Sequence, residues 1–284
     1  MRKTLLIFLS LSAALFPHLV QAQTYTGDSW SDVKRAGSGK LAIVYYEIPG
    51  MIETGPNGQP TGVCVNLLED FKEYVSTTYG KNITLDYQGK ETSFPKFMAN
   101  ARRGNHVLGV TTMSITPQRE GRMKFTPPYM RNQMVFLTHN DVPFILALDE
   151  LKKTLAGKTA LAVTDGNNVA YLNHLKANFF PDMKIELRDS EKEILQAIAS
   201  DPNYFSLMDF TAYYQVIKSR LPVRRHNLDV DKYYSEQFGF LLSDNSDWGP
   251  LWQEFLTSTY RLSPNYRQSV AENLGRSFMT FARP

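Results

Sequence analysis

Segments typical of strands alternate with segments typical of helices along this chain, and this alternation is what most constrains its fold. Apolar and β-branched residues dominate short runs such as 40–46, whereas 65–79 has apolar residues at helical spacing. The predicted strands are 40–46, 83–87, 107–112, 133–138, 158–163, 185–187, 205–208 and 238–242. The predicted helices are 65–79, 94–103, one that ends at 175, 191–200, 211–219, 248–260 and 266–274. This order predicts an α/β fold with parallel strands, in which ligands bind beyond the carboxyl ends of the strands.

The first 22 residues have the pattern of a secretory signal peptide. Arg2 and Lys3 precede an apolar run from Leu5 to Phe16, and small residues lead to a cut predicted after Ala22. The apolar run is shorter than the ~20 residues that a membrane-spanning helix needs. The residue directly after the cut is Gln23 and not a cysteine, so no lipoprotein anchor is expected. The sequence therefore predicts an exported protein, most simply one of a bacterial periplasm.

Length, charge and residue types narrow the class of function. The roughly 260 residues after the predicted cut are more than one ordinary core needs and suit two domains. Removal of Arg2 and Lys3 from the 31 basic residues leaves 29 against 28 acidic ones, a formal charge of +1. This balance gives no electrostatic basis for binding nucleic acid. The five histidines show no pair at metal-ligand spacing, so neither a metal nor a cofactor is expected. The single cysteine, Cys64, lies between two valines and is predicted to be a buried, unreactive thiol.

One arginine and one aspartate stand at positions where they could hold a zwitterion. The strand that reaches Thr112 is followed by Ser114, a turn and Arg119, and a guanidinium group pairs bidentately with a carboxylate. Asp209 follows another apolar strand, at a strand-to-helix junction. The alternative interpretations are a surface arginine after a turn and an aspartate that only caps a helix. Neither charge alone would specify an amino acid, but the two together match its carboxylate and its ammonium group.

The segments 114–119 and 124–129 closely resemble the signature region of the family 3 periplasmic solute-binding proteins, the polar amino-acid receptors of ABC importers. The order of strands and helices resembles this family over essentially the whole mature chain. The resemblance implies a two-lobe, type II periplasmic-binding-protein fold with a hinge. Residues 1–22 would be the signal peptide, 23–134 and 239–284 would form lobe 1, and 135–238 would form lobe 2.

The resemblance also implies which residues contact a ligand. Arg119 would bind the ligand carboxylate and Asp209 its α-ammonium group. The full predicted ligand-binding set is Arg119, Asp209, Ser114, Thr112, Asn168, Tyr46 and Phe94. Asn168 could instead be a helix cap without ligand contact, and Tyr46 and Phe94 could equally belong to the core. No residue of the set offers a clear charge to a ligand side chain, which favours a ligand whose side chain is not strongly charged.

From the resemblance we expect a monomeric periplasmic protein that captures an α-amino acid or a related small carboxylate by hinge closure. It would deliver this ligand to the permease of an ABC importer. One alternative is a periplasmic cyclohexadienyl (arogenate or prephenate) dehydratase on the same scaffold, with Glu47 or Asp165 as the acid. Another is a ligand-sensing accessory protein. Two departures from the family pattern, Asn66 in place of Asp and the turn 104–106 without its usual Asp, bear on subfamily and ligand rather than on fold.

Overall fold

One curled β-sheet runs through the protein, a computed structural model that describes residues 25–228, 230 and 235–282. The predicted signal peptide, residues 1–22, lies outside the described residues. The strands are β1 (Ser38–Tyr46), β2 (Glu53–Thr54), β3 (Pro60–Thr61), β4 (Asn82–Glu91), β5 (Val107–Ile115), β6 (Lys124–Phe125), β7 (Met130–His139), β8 (Thr159–Val163), β9 (Lys184–Arg188), β10 (Tyr204–Asp209), β11 (Val223–His226) and β12 (Ser235–Leu242). The helices are α1 (Trp30–Ala36), α2 (Val63–Tyr79), α3 (Phe94–Arg103), α4 (Pro117–Glu120), α5 (Leu151–Thr154), α6 (Asn168–Asn178), α7 (Glu191–Ser200), α8 (Phe210–Ser219), α9 (Gly249–Phe255), α10 (Ser258–Arg261) and α11 (Pro264–Leu274), with 3-10 segments at Leu148–Glu150 and Arg276–Ala282.

The long strand β7 belongs to both parts of the sheet. In the first part the strand order is β4-β1-β5-β12-β7, and β4, β1 and β5 are parallel. In the second part the order is β7-β10-β8-β9, and β10, β8 and β9 are parallel. Strand β7 pairs with β12 up to Gln133 and with β10 from Met134 onward. We use lobe 1 and lobe 2 for the regions around the first and second parts; the predicted boundaries near 134 and 238 stay a prediction.

Each lobe has its own buried packing. In lobe 1 the ring of Phe71 in α2 stacks on Trp252 in α9, with centroids 3.8 Å apart, which attaches the C-terminal segment to the first part of the sheet. In lobe 2 the rings of Phe136 in β7 and Phe205 in β10 lie 5.5 Å apart, beside the buried Leu172 of α6. Strand β1 is buried continuously from Leu41 onward, as expected for a parallel strand covered on both faces. None of the described helices combines the length and the apolar character that crossing a membrane requires.

The structure confirms the α/β fold class and corrects the bounds of several elements. Strand β5 continues to Ile115, so Ser114, like Thr112, lies inside the strand and not after it. The predicted single helix 248–260 is wrong: α9 and α10 are separate, because Thr257 caps α10 with its side chain. Helix α1 and strand β11 were not predicted from the sequence.

Candidate functional site

A cavity lies between the two lobes, at the carboxyl ends of parallel strands from both. Strand β1 ends at Tyr46 and β8 ends at Val163 on opposite sides of it, and β10 ends at Asp209. The space between its lining atoms is about 460 Å³, including the part open to solvent. The lining residues are Tyr46, Ile48, Phe94, Thr111, Thr112, Ser114, Arg119, Val163, Gly166, Asn167, Asn168, Glu191, Met208 and Asp209. All seven residues of the predicted ligand-binding set therefore line one cavity.

Arg119 reaches the cavity from the short helix α4 of lobe 1. The side chain of Thr116 caps this helix by accepting a hydrogen bond from the Arg119 amide, which fixes the position of the Arg119 backbone. Its Nη1 donates to the carbonyl oxygen of Ser114 at 3.1 Å, and its Nη2 donates across the cleft to the carbonyl oxygen of Asp165 at 3.1 Å. Burial lowers the pKa of Arg119, and it forms no ion pair with any described residue. Because a guanidinium group has five N–H donors, those left over can bind an anion in the cavity.

Asp209 lies at the end of β10 in lobe 2, at the position before α8 where a capping residue stands. Its side chain forms no capping hydrogen bond, so the interpretation that it only caps the helix is wrong. Instead its Oδ1 accepts a hydrogen bond of 2.7 Å from Nδ2 of Asn132. Burial raises the pKa of Asp209 to about 6, although the hydrogen bond from Asn132 and the charge of Arg119 act in the opposite direction. Near neutral pH Asp209 is therefore mostly ionised and can pair with a cationic ligand group.

A polar network joins the shared strands to lobe 2 beside the cavity. Asn132 of β7 and Glu236 of β12 face each other across the two strands. The amide nitrogen of Asn167 donates to Oε2 of Glu236 at 2.6 Å and to Oγ of Ser114 at 3.0 Å. Burial raises the pKa of Glu236, and its Oε1 has no hydrogen-bond partner among the described residues. The described residues contain no group of three or more His, Cys, Asp or Glu side chains that could hold a metal ion.

The start of α6 offers backbone amides to the cavity. Asn168 is buried, and its Oδ1 accepts a hydrogen bond of 3.2 Å from the amide of Val163, so its side chain ties the helix to the end of β8. The amides of Asn167, Asn168 and Val169 form no hydrogen bond with a described residue. Free amides at a helix N-terminus favour an anion. Of the two asparagines, Asn167 is the one whose side chain reaches across the cleft, to Ser114.

Glu191 is the cavity residue that the sequence analysis missed. It is the first residue of α7, and the sequence suggests only an exposed carboxylate on an amphipathic helix. The residue is half-buried, and its carboxyl group lies at the cavity, where it forms no hydrogen bond or ion pair with another described residue. Burial raises the pKa of Glu191 to about 8, and the nearby Asp209 contributes. The available signal was its position just after a parallel strand of lobe 2, where cleft residues collect.

Aromatic side chains of lobe 1 cover the same end of the cavity as Glu191. The rings of Tyr46 and Phe94 meet edge to face with centroids 5.9 Å apart, and each residue is less than a tenth exposed. They serve the core and the cavity wall at once. A backbone hydrogen bond from Glu191 reaches the Tyr46 hydroxyl, and burial raises the pKa of this tyrosine.

The two acids considered for a dehydratase lie outside the cavity. Glu47 accepts a hydrogen bond from the amide of Thr54 at 2.8 Å and pairs with Lys90. Burial by itself would raise the pKa of Glu47, but Thr54 and Lys90 lower it overall, so Glu47 holds no proton near neutral pH. Asp165 adopts a left-handed backbone conformation (φ 59°). It lines a separate groove that shares Arg119, Gly166 and Asn167 with the cavity.

A model of the family described as bacterial extracellular solute-binding proteins, family 3, matches residues 43–246. The chain belongs to this family. A comparison with curated protein sequences gave no match. The family membership accounts for the order of strands and helices that the sequence analysis used.

Solved structures with the same two-lobe fold are similar over most of the chain. The substrate-binding protein of an ABC uptake transporter from Streptococcus pneumoniae, with bound histidine, has a TM-score of 0.66 at 17% identity, covering 88% of this chain and 97% of that one. An ancestral arginine-binding protein bound to glutamine has a TM-score of 0.64 at 17% identity, covering 84% and 98%. An ancestral amino-acid-binding protein described as a precursor of cyclohexadienyl dehydratase has a TM-score of 0.62 at 17% identity, covering 86% and 98%. At these identities the likeness shows the fold.

Proposed function

We propose that this protein is a periplasmic solute-binding protein that captures an α-amino acid between its lobes. One observation carries the proposal: Arg119 of lobe 1 and Asp209 of lobe 2 reach the same cavity with opposite charges. This pair is complementary to a carboxylate and an ammonium group on one small molecule. Membership in the extracellular solute-binding family supports a binding role.

The proposed ligand position follows from the donors and acceptors around the cavity. The α-carboxylate would lie between the free N–H groups of Arg119 and the amides at the start of α6, next to Thr112 and Ser114. The α-ammonium group would lie at Asp209, and the side chain would extend toward the aromatic wall. A charge-assisted hydrogen bond contributes roughly 1.5–3 kcal/mol. Two such pairs and apolar burial are sufficient for micromolar affinity, which corresponds to about −8 kcal/mol.

Ligand contacts from both lobes couple binding to closure of the hinge. We propose that the closed protein acts as a monomer and delivers the ligand to the membrane permease of an ABC importer. The uptake-transporter protein from Streptococcus pneumoniae, with its similar fold, supports this step. Export by the predicted signal peptide, and lobes formed by 23–134 with 239–284 and by 135–238, belong to the same proposal.

A thermal-shift screen followed by calorimetry tests the binding role. The protein, expressed with its own N-terminus and purified from the periplasm, is titrated with the twenty amino acids, small carboxylates and arogenate. A ligand at a hundred times its dissociation constant stabilises the native state by about 2.7 kcal/mol, which is a readily measured shift. We expect at least one α-amino acid to stabilise the protein.

Matched variants connect this binding to the cavity. Arg119→Ala and Asp209→Asn should each weaken binding at least a hundredfold without unfolding the protein. Arg122→Ala is the control, because Arg122 lies three residues farther on and does not line the cavity. Unchanged affinity in Arg119→Ala, or no stabilisation by any α-amino acid, would contradict the proposal.

A second candidate function rests on Glu191. A carboxyl group that keeps its proton near neutral pH inside a cavity could protonate a leaving hydroxyl group while carbon dioxide departs. The likeness to the precursor of cyclohexadienyl dehydratase makes arogenate and prephenate the substrates to assay. Turnover that Glu191→Gln abolishes would support an enzyme. The absence of product would leave solute binding as the proposed function.

A further inference from the structure

The charged groups around the cavity do not balance. Among the described residues, Arg119 is the cation that lines it, whereas Asp209 and Glu191 line it and Glu236 lies beside it. Glu236 receives hydrogen bonds from Asn167 and Asn132. A bound zwitterion would use Arg119 and Asp209 and add no net charge. Glu191 would then remain as an enclosed acid without a counter-charge.

The neighbours of Glu191 include no cation. Tyr46 faces it from β1, Asp209 faces it from β10, and Glu193 lies on the same helix, near Tyr46. The backbone amide of Phe94 donates to the carbonyl oxygen of Asp189 at 3.5 Å, which holds the aromatic wall against the segment that leads into α7. An enclosed carboxylate without a partner is costly, so the group keeps its proton until a positive charge arrives. That charge has to come from the ligand.

The surroundings suit a side chain with an apolar stem and a positively charged end. Ile48 and Met208 are buried apolar residues of the cavity lining, and methylene groups can pack on them. The ring of Tyr46 stands beside Glu191 and can attract a cation, whereas the Phe94 ring already lies 5.8 Å from the guanidinium carbon of Arg119. The hydroxyl of Thr111 is buried in the wall without a hydrogen-bond partner among the described residues. It is a second polar group that a ligand could satisfy.

We propose that the ligand is an amino acid whose side chain carries an ammonium or guanidinium group, and that Glu191 selects it. This inference rests on the proposed function and replaces the sequence-based expectation of a side chain without strong charge. In the bound state the side-chain cation pairs with ionised Glu191, while Arg119 and Asp209 hold the α-carboxylate and α-ammonium groups.

Calorimetry with matched ligand pairs tests this selection in the exported protein. Arginine is compared with citrulline, and lysine with norleucine, because each pair differs chiefly in the charge at the end of the side chain. We expect the cationic member of at least one pair to bind at least tenfold more tightly than its neutral partner. Titrations at pH 7 in two buffers of different ionisation enthalpy should also show a proton released with the cationic ligand and none with the neutral one.

Two variants separate selection by Glu191 from a general effect of charge on α7. Glu191→Gln should reduce the preference for the cation to less than threefold and abolish the proton release. Glu193→Gln is the control: it removes a charge two residues away, and glutamine can keep the hydrogen bonds that pair position 193 with Ser190. It should bind like the wild type.

The outcomes distinguish this inference from the proposed function. If citrulline or norleucine binds as tightly as its cationic partner, or if Glu191→Gln keeps the preference, the inference is overturned while amino-acid capture stands. Preferential binding of glutamate or aspartate would overturn it as well. If no α-amino acid binds and the Arg119 and Asp209 variants change nothing, the proposed function itself fails.

Discussion

At the residue scale, the enclosed carboxyl group of Glu191 makes stability in the ligand-free state depend on pH. Its pKa is about 8 in the folded protein, against 4.5 as the ordinary value for glutamate. The folded state therefore holds a proton that the unfolded chain releases in this range. The stability that this proton provides is fully present below about pH 4.5 and is lost as the pH rises through 8. The site is thus built at the expense of stability at alkaline pH.

Glu191→Gln should remove this loss. We expect the free energy of unfolding of the ligand-free variant to exceed that of the wild type by on the order of 1–2 kcal/mol at pH 8 and to equal it near pH 5. One pKa unit corresponds to about 1.4 kcal/mol, and relaxation of the side chains around Glu191 reduces the full effect. Urea denaturation at the two pH values measures the difference. Glu193→Gln should follow the wild type. If the free energy of unfolding depends on pH in the same way in the wild type and in Glu191→Gln, the Glu191 proton is not the cause of the loss.

Cys64 provides a second residue-scale prediction. It is fully buried in α2, where its thiol donates a hydrogen bond to the Tyr129 hydroxyl oxygen at 3.7 Å, and burial raises the pKa of the thiol to about 12. Because the thiolate is the reactive form, iodoacetamide should leave the native protein unmodified and label the chain once in urea. Mass spectrometry before and after denaturation measures this. Full labelling under native conditions would show that the thiol is accessible.

At the scale of elements, the sequence predicts segments whose pattern is local and misses those that need a distant partner. Helices α3 and α7 have the predicted bounds, because their apolar spacing and their ends are visible in the chain. Strand β5 is longer than predicted because β12 pairs with it, with Ser114 opposite Phe238. Strand β11 exists because it pairs with β7. Neither pairing can be read from the segment itself.

The cavity shows the same limit. Asp209 stands out because a charge directly after an apolar strand is unusual, and Arg119 stands out because it lies in the segment that resembles the family signature; both line the cavity. Glu191 and Glu236 look in the sequence like ordinary carboxylates on a solvated helix and strand. They become enclosed only when lobe 2 folds over lobe 1, and no local pattern records that step. The carboxyl groups of Glu191 and Glu236 were therefore the part of the site that sequence reasoning could not supply.

The junction between β8 and α6 leads to a prediction about one glycine. A Cβ atom at Gly166 would lie 2.6 Å from Oδ1 of Asn168 and 2.9 Å from the carbonyl oxygen of Val163, which is backbone. Gly166→Ala must therefore displace the start of α6. We expect it to destabilise the protein by about 1–3 kcal/mol, the usual cost of overpacking, and to weaken ligand binding.

Gly249→Ala is the matched control for this variant. A Cβ atom at Gly249 makes only an ordinary contact, 3.7 Å from Leu242, at the start of a helix far from the cavity. Stability should stay within about 0.5 kcal/mol of the wild type, because alanine is favoured in helices. Thermal denaturation and calorimetry of the two variants make the comparison. A Gly166→Ala protein with wild-type stability and affinity would show that the junction tolerates the displacement.

At the scale of the whole molecule, aromatic and polar contacts join the lobes: the rings of Phe210 in α8 and Phe278 lie 5.7 Å apart, and the Tyr214 hydroxyl donates to the carbonyl oxygen of Asn273 at 2.7 Å. Inside the cleft, Asn167 reaches Ser114 and Glu236. Away from the cleft, Nζ of Lys218 in lobe 2 pairs with both carboxylate oxygens of Glu53 in lobe 1, at 2.7 and 2.9 Å. The ion pair is partly exposed, so salt screens it, whereas the asparagine contacts are shielded.

Removal of the inner contacts should open the ligand-free protein. Asn167→Ala deletes two hydrogen bonds that act between the lobes, each worth about 1 kcal/mol net, and so reduces the population of the closed form. We expect a larger radius of gyration than that of the wild type in small-angle X-ray scattering, and an affinity lower by roughly five- to tenfold, since binding must restore closure.

Asn173→Ala is the control, because Asn173 is exposed on the same helix and does not line the cavity. A saturating ligand should return Asn167→Ala to the compact form of the wild type, because the contacts through Arg119 and Asp209 then hold both lobes. If the variant stays compact without ligand and binds as tightly as the wild type, then the asparagine bridge does not stabilise closure, and the remaining contacts between the lobes, such as those of Arg119 with Asp165 and of Lys218 with Glu53, set the closed geometry.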